Sequence, residues 1–249
     1  MLFGLASARD WLLRQNFCRK VTLDQSSLMA RVSFELRTLL NDIVGYAEYL
    51  ENRSEEPMTN FTAKIIRESG SHLTRSCNSY FDLQYVQSGQ FRFCRTRFNL
   101  STLLHGVVDG YQSQAWERSM SLRLICPPDA LAVSIYADEM RVRQVLHALV
   151  FNAIEMAEAW DVIDFHLYWL EDKRVLKLVM QSTQMKLDRN KLNLVEKFWS
   201  TDTYRFQLQE GPGVEMALAK SLIRLAGIPA RYDVSQDNVG TLELLFSSC

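Results

Sequence analysis

Ser33-Phe34-Glu35-Leu36-Arg37-Thr38-Leu39-Leu40-Asn41-Asp42-Ile43-Val44-Gly45-Tyr46 is the stretch from which the fold can be read. Val32, Leu36, Leu39, Ile43, Tyr46 and Leu50 recur at steps of four, three, four, three and four. That spacing predicts the seam of a coiled coil or helical bundle on one helix from about Leu23 to Leu50. Asn52-Arg53-Ser54-Glu55-Glu56-Pro57 is a polar break whose proline suits the first turn of a second helix. Phe61, Ile65, Ser69, Leu73, Ser76 or Cys77, Tyr80 and Leu83 continue the same period beyond it. The expectation is an antiparallel hairpin. Alone it leaves apolar stripe in water, so two copies are expected to close a four-helix bundle. Phe34 lies two residues from Val32 and two from Leu36, which turns it off the seam towards solvent, where an exposed ring invites a partner.

Beyond Ser88-Gly89-Gln90 the pattern changes. Asn99 or Ser101 can cap a helix carrying Leu103, Leu104, Val107, Val108 and Tyr111. Leu122–Ile125 and Leu131–Tyr136 read as strands, and Asp138 caps a helix running to about Trp160. Val162–Trp169 and Val175–Met180 read as strands joined by the charged turn Glu171-Asp172-Lys173-Arg174. A helix over Val214–Ala226 and strands over Arg231–Val234 and Thr241–Phe246 follow. The expected class is α+β, with a hairpin domain over 1–88 and, over 89–249, a mixed sheet covered by helices on one face.

The chain has 249 residues, 47% of them apolar and 23% charged, enough for one or two domains with real cores. A net charge of −1 offers no electrostatic case for nucleic acid or an anionic membrane. Cys18, Cys77, Cys94, Cys126 and Cys249 are odd in number and contain no C-x-x-C pair. A disulfide framework and a zinc site are therefore not expected, and a cytoplasmic setting is. No apolar run reaches the length of a membrane span. His72, His105, His147 and His166 show no metal-ligand spacing, and His72 reads as a surface or seam histidine.

The stretch around Phe34 resembles the phosphoacceptor box of sensor histidine kinases, S-H-E-L-R-T-P-L-N-x-I-x-G, with phenylalanine where the family carries its phosphorylated histidine. Asp138 to Ala153 resembles the family's asparagine box. Asn152 matches the residue that holds Mg²⁺ there, while Ala148 replaces the other asparagine. Leu194-Val195-Glu196-Lys197-Phe198 resembles the phenylalanine box. Gly211-Pro212-Gly213-Val214-Glu215-Met216-Ala217 resembles the second glycine box, its third glycine replaced by Glu215. Where the first glycine box, D-x-G-x-G, should stand, the chain reads Ser182-Thr183-Gln184-Met185-Lys186-Leu187. The aspartate that reads the adenine in the family is thus Ser182.

The resemblance implies a degenerate histidine kinase: a dimerising hairpin followed by an α/β sandwich like the family's ATP-binding domain. A phenyl ring has no lone pair with which to attack phosphorus, so no autophosphorylation is expected. With three nucleotide features also damaged, ATP and Mg²⁺ binding are expected to be lost, and Asn152, Gly211 and Gly213 to be vestigial. The implied role is an adaptor in two-component signalling, binding a response regulator or an active kinase through Phe34, Arg37, Thr38, Asn41 and Asp42. Glu35 and Thr38 keep the family's H-E-x-x-T spacing, so a response-regulator phosphatase with Thr38 positioning water is the enzymatic alternative. A nucleotide sensor without phosphotransfer is a third. Trp199, Tyr204 and Phe206 fall in the family's nucleotide lid and are expected to pack into an empty pocket.

Overall fold

The structure, a computed structural model, describes residues 32–89, 91–182, 198–199, 213–235 and 239–248. Its contacts divide the chain into two compact units, the first ending at Phe81 and the second beginning at Asp82.

The first unit is a helical hairpin. Helix α1 covers residues 32–53 and α2 covers Pro57–Gln87, with Pro57 at its start. The helices meet along small side chains rather than along the expected seam. Ser33, Leu40 and Ala47 are buried on α1, and Ala63, Gly70 and Ser79 on α2. A Cβ added at Gly70 would stand 2.9 Å from a Val44 methyl, so the glycine sets how closely the two helices approach. Val32, Leu36, Leu39, Ile43, Tyr46 and Leu50 stay exposed, and so do Phe61, Ile65, Leu73 and Tyr80 of α2. Each helix thus carries two apolar stripes. The narrow one closes the hairpin, and the one read from the sequence as the seam is left for another surface. Arg67 Nε donates to Glu51 at 2.6 Å across the hairpin, and this hydrogen bond raises the arginine pKa. Both side chains are about a third exposed, which limits such a pair to less than about 1 kcal/mol.

The second unit is an α/β sandwich. Strands β1 (Thr96–Asn99) and β3 (Ser134–Ala137) form an antiparallel pair. The main sheet contains β2 (Ser121–Ile125), β4 (Val162–Leu170), β5 (Val175–Ser182), β6 (Ala230–Val234) and β7 (Gly240–Ser247), in the order β2-β4-β5-β7-β6. Among the described strands only the β2–β4 pairing is parallel. Helices α3 (Leu100–Gly110), α6 (Glu139–Met156) and α7 (Val214–Ala226) supply the other half of the core, with α6 packed against both of the others. The alternation of β4 turns Ile163, Phe165 and Leu167 inward, where they join Leu176 and Leu178 of β5 and Leu242 and Leu244 of β7. Leu146, Val150 and Ile154 of α6 and Leu218 and Leu222 of α7 close over them. The end of α2 belongs to this unit, with Leu83 and Val86 buried in the same core.

Three local features depart from the sequence reading. The expected strand over Leu131–Tyr136 begins only at Ser134, because Pro128 starts a single helical turn, α5 (Pro128–Leu131). Helix α6 ends at Met156 rather than near Trp160, which stands at φ 74° in the loop before β4. Strand β1 and the short helix α4 (Gln112–Glu117) were not read at all. Between the two candidate caps for α3, Asn99 serves: its Oδ1 accepts from Thr102 N at 2.9 Å, and its Nδ2 donates to the Leu131 carbonyl at 2.7 Å. Asn99→Ala is expected to lower the unfolding free energy by about 1–2 kcal/mol, measurable by urea denaturation.

Candidate functional site

Two places carry the residues singled out in the sequence, one in each unit. On α1, Phe34, Arg37, Thr38, Asn41 and Asp42 stand at helical positions i, i+3, i+4, i+7 and i+8, so they share one face. All five are exposed, Phe34 at 71%. Gly45, at i+11, extends this face, and nothing lies within 4 Å of where its Cβ would be. Thr38 Oγ1 donates to the Phe34 carbonyl at 3.1 Å, which commits its proton to the helix and leaves its lone pairs outward. Arg37 is held in place by its Nε, which donates to Asn78 Oδ1 on α2. Glu35 is exposed beside this face. The result is an open surface with a ring at its N-terminal end, a cation fixed beside it, and hydroxyl, amide and carboxylate groups along it.

The second place is a cleft between α6, α7 and the sheet, enclosing about 590 Å³ of empty space with its open mouth included. Asp138 caps α6, its Oδ1 accepting from Arg141 N at 3.2 Å, and its Oδ2 also accepts from Cys94 N at 2.8 Å. Further along, Asn152 lines the cleft, but its Nδ2 donates to the Ala148 carbonyl of its own helix at 2.9 Å. Ser182 closes β5 at the cleft wall, and its buried hydroxyl has no hydrogen-bond partner. Gly213 precedes α7 at φ 91°, a conformation that favours glycine, and no side chain caps the helix there. Glu215 stands in the first turn of α7, where a carboxylate favours the helix dipole and repels an approaching anion. Gly211, Tyr204 and Phe206 lie outside the described residues, as does most of the phenylalanine-box segment. Trp199 is half-buried, edge-on to Phe198 at 5.4 Å, and lines the cleft instead of filling it. None of the described residues lining the cleft is charged.

Among the described residues no group of three or more His, Cys, Asp or Glu side chains is placed to hold a metal, and no helix is long and apolar enough to cross a membrane. His72 is exposed on α2. Sequence reasoning did not single out the methionines of the cleft: Met156 read as part of one helix face, Met180 as the end of a strand and Met216 as part of the second glycine box. It also missed the pair Arg123–Asp164, a bidentate contact at 2.6 and 2.7 Å across β2 and β4 in which the carboxylate raises the Arg123 pKa. Nothing local could have announced it, since the partners are brought together only by the parallel register of those strands.

No family model matches the chain. It is similar to the autoinducer 2 sensor kinase/phosphatase LuxQ of Vibrio vulnificus, at 23% identity over 205 residues, 81% of this chain and 24% of LuxQ. It is 28% identical over 210 residues to the circadian input-output histidine kinase CikA of Thermosynechococcus vestitus, covering 81% of this chain and 28% of CikA. The chain spans about a quarter of the length of these curated relatives. Among solved structures, full-length ShkA in complex with AMPPNP superposes with a TM-score of 0.66 at 20% identity, over 90% of this chain and 46% of ShkA. The Acinetobacter baumannii histidine kinase AdeS superposes with a TM-score of 0.55 at 17% identity, over 86% and 96% of the two chains. These matches make the chain similar to sensor histidine kinases, and its fold is that of the two solved structures: a helical hairpin followed by the α/β sheet domain.

Proposed function

We propose that this chain is a two-component signalling protein that holds a response regulator, or an active histidine kinase, on the α1 face and transfers no phosphoryl group itself. The observation that carries this reading is Phe34, 71% exposed at the position where the resembling box has its histidine. Phosphoryl capture needs a nucleophilic nitrogen there, and a phenyl ring offers only a surface. The ring is flanked by groups suited to recognition rather than chemistry: fixed Arg37, and Asn41 and Asp42 one or two turns on. In the second unit, the position of Glu215 in the first turn of α7 supports a domain that works without ATP or Mg²⁺. Such a protein acts in the cytoplasm, as a dimer with itself or with a related kinase, and needs neither nucleic acid nor membrane insertion.

The test is a titration of purified receiver domains and kinase hairpins from the source cell against the protein. A partner with micromolar affinity is expected, weakened at least tenfold by Phe34→Arg, which places a second cation beside Arg37. If every receiver and kinase fails to bind, the adaptor reading falls.

A phosphatase reading is favoured by one geometric fact and one likeness. Exposed Thr38 stands beside exposed Glu35 with lone pairs free to accept from a water, and LuxQ is named a kinase/phosphatase. Thr38→Ala decides it. Loss of receiver dephosphorylation with binding intact supports the enzyme, and an unchanged dephosphorylation rate leaves the adaptor alone.

A further inference from the structure

Two indole rings of the second unit stand in water. Trp116 of α4 is 81% exposed, and Trp160, in the loop between α6 and β4, is 76% exposed. Both are carried on well-tied backbone. Ala115 and Met120 are buried on either side of Trp116, and Met120 N donates to the Ala115 carbonyl at 2.9 Å. Ser119 joins the two segments: its N–H donates to the Trp116 carbonyl at 2.9 Å, and its carbonyl accepts from Trp160 N at 2.8 Å. The buried carboxylate of Asp161 accepts from Glu158 N at 2.9 Å and closes the loop that holds Trp160. The backbone at Trp160 stands at φ 74° and that at Ser119 at φ 57°, in the left-handed region. A bulky side chain there is strained where glycine would not be. Burial of a large ring ordinarily offsets such a cost. Trp160 buries little, so the fold gains little from the ring. Two apolar rings held in water, one of them on strained backbone, mark a surface meant for something outside the fold.

We propose that Trp116 and Trp160 form a docking surface for a basic segment of a partner protein, one that presents arginine or lysine side chains to the indole faces. Charge selects that partner. Residues 112–121 and 155–161 hold four carboxylates, Glu117, Glu155, Glu158 and Asp161, against one cation, Arg118. That cation is already engaged: its Nη2 meets Glu155 at 2.6 Å, and its Nη1 donates to the Ile154 carbonyl at 3.3 Å. Arg123, on the adjoining strand β2, is likewise held by Asp164. A guanidinium or ammonium group is drawn to the face of an indole more strongly than to that of any other aromatic side chain. Carboxylates at the rim then accept its N–H groups, while an acidic segment would meet repulsion. The proposal does not depend on what binds the α1 face, which belongs to the other unit, and its test is read at different atoms.

A short peptide of alternating glycine and arginine serves as the probe. The full protein, labelled with ¹⁵N at its indoles, is titrated with it. The N–H signals of Trp116 and Trp160 are expected to shift together and saturably, while that of Trp169, packed against the core, stays still. A matching peptide of glycine and glutamate should move neither. Trp116→Ala should weaken the affinity about two- to fivefold, the span of one exposed cation–π contact. Trp160→Gly should weaken it by a similar factor and leave Tm unchanged or raised, because glycine adopts φ 74° without strain. The double variant should not bind, and Glu158→Gln should weaken binding with both rings in place. Absence of a saturable shift, an equal response to the glutamate peptide, or unchanged affinity in the double variant would each overturn the proposal. A clearly lowered Tm in Trp160→Gly would mean that the ring serves the fold. Indole signals that move with protein concentration alone would make the surface an interface between copies, and that too would overturn it.

Discussion

Ile43→Glu is expected to turn the purified protein from a dimer into a folded monomer at low micromolar concentration. Ile43 sits in the middle of the six-residue stripe on α1 and is 47% exposed in the single chain. The stripe repeats at the coiled-coil spacing, yet the hairpin does not use it, because α1 and α2 already meet through Leu40, Ala47, Ala63 and Gly70. A repeating apolar stripe that the hairpin leaves bare is the kind of surface that two copies bury against each other. Glutamate at position 43 would place two carboxylates at the centre of that bundle, facing each other by symmetry. Each would cost several kcal/mol to desolvate, with no cation in compensation. That exceeds what the lost isoleucine contributed, about 1.5–3 kcal/mol by transfer of its side chain. Sedimentation equilibrium measures the outcome, with circular dichroism to show that helix content survives. Leu40→Glu is the contrasting variant. Leu40 is 6% exposed inside the hairpin itself, so charge there should melt the first unit rather than merely separate two copies. A dimer that persists in Ile43→Glu would mean that copies associate elsewhere or that the stripe receives something else.

The contrast between Ile43 and Leu40 also marks how far the sequence can be read. Periodicity located the apolar stripe of α1, and the stripe is there, but periodicity cannot say which of two apolar faces a helix gives to its neighbour. The choice was made by Gly70, whose missing Cβ lets Val44 approach, and a lone glycine inside a helical pattern carries no such message by itself. In the second unit, the strong signals were the capping aspartate of α6, the apolar run Val162–Trp169 and the glycine before α7, and each of these elements begins where it was read, although α6 ends four residues early. Pro128-Asp129 was read as a plain break between strands, although proline followed by an acid is also how a helical turn begins, and α5 is that turn. The α1 face was legible because its residues lie within nine positions of one another. The cleft was not, because Met156, Ser182, Met216 and Tyr232 come from four elements and meet only through the β5–β7–β6 register and the packing of α6 and α7 on it.

Phe34→His, incubated with Mg-ATP, is expected to yield no detectable phosphohistidine. The substitution restores a nucleophile to an exposed position where the helix imposes no obstacle, so the acceptor itself would be competent. The missing contribution lies at the donor. Phosphoryl transfer is catalysed almost entirely by positioning and by electrostatic stabilisation of the phosphate oxygens. Here the cleft presents no charged side chain among its described residues, and Glu215 puts a carboxylate in the first turn of the helix that an incoming phosphate would have to approach. Removing one preorganised donor from an active site costs about 10²–10³ in rate. Such a loss, with an added repulsion, leaves a reaction at least about 10²–10³ slower, below what a phosphohistidine blot detects. Phe34→His should still keep the dimer, and it should weaken receiver binding less than Phe34→Arg, because imidazole preserves much of the flat ring. Phosphohistidine formed by the isolated variant would show that the second unit still delivers ATP. The single position 34 would then be the whole difference between this chain and an active kinase. If phosphohistidine forms only after an active kinase is added, the donor must come from the partner, as the adaptor reading requires of a heterodimer.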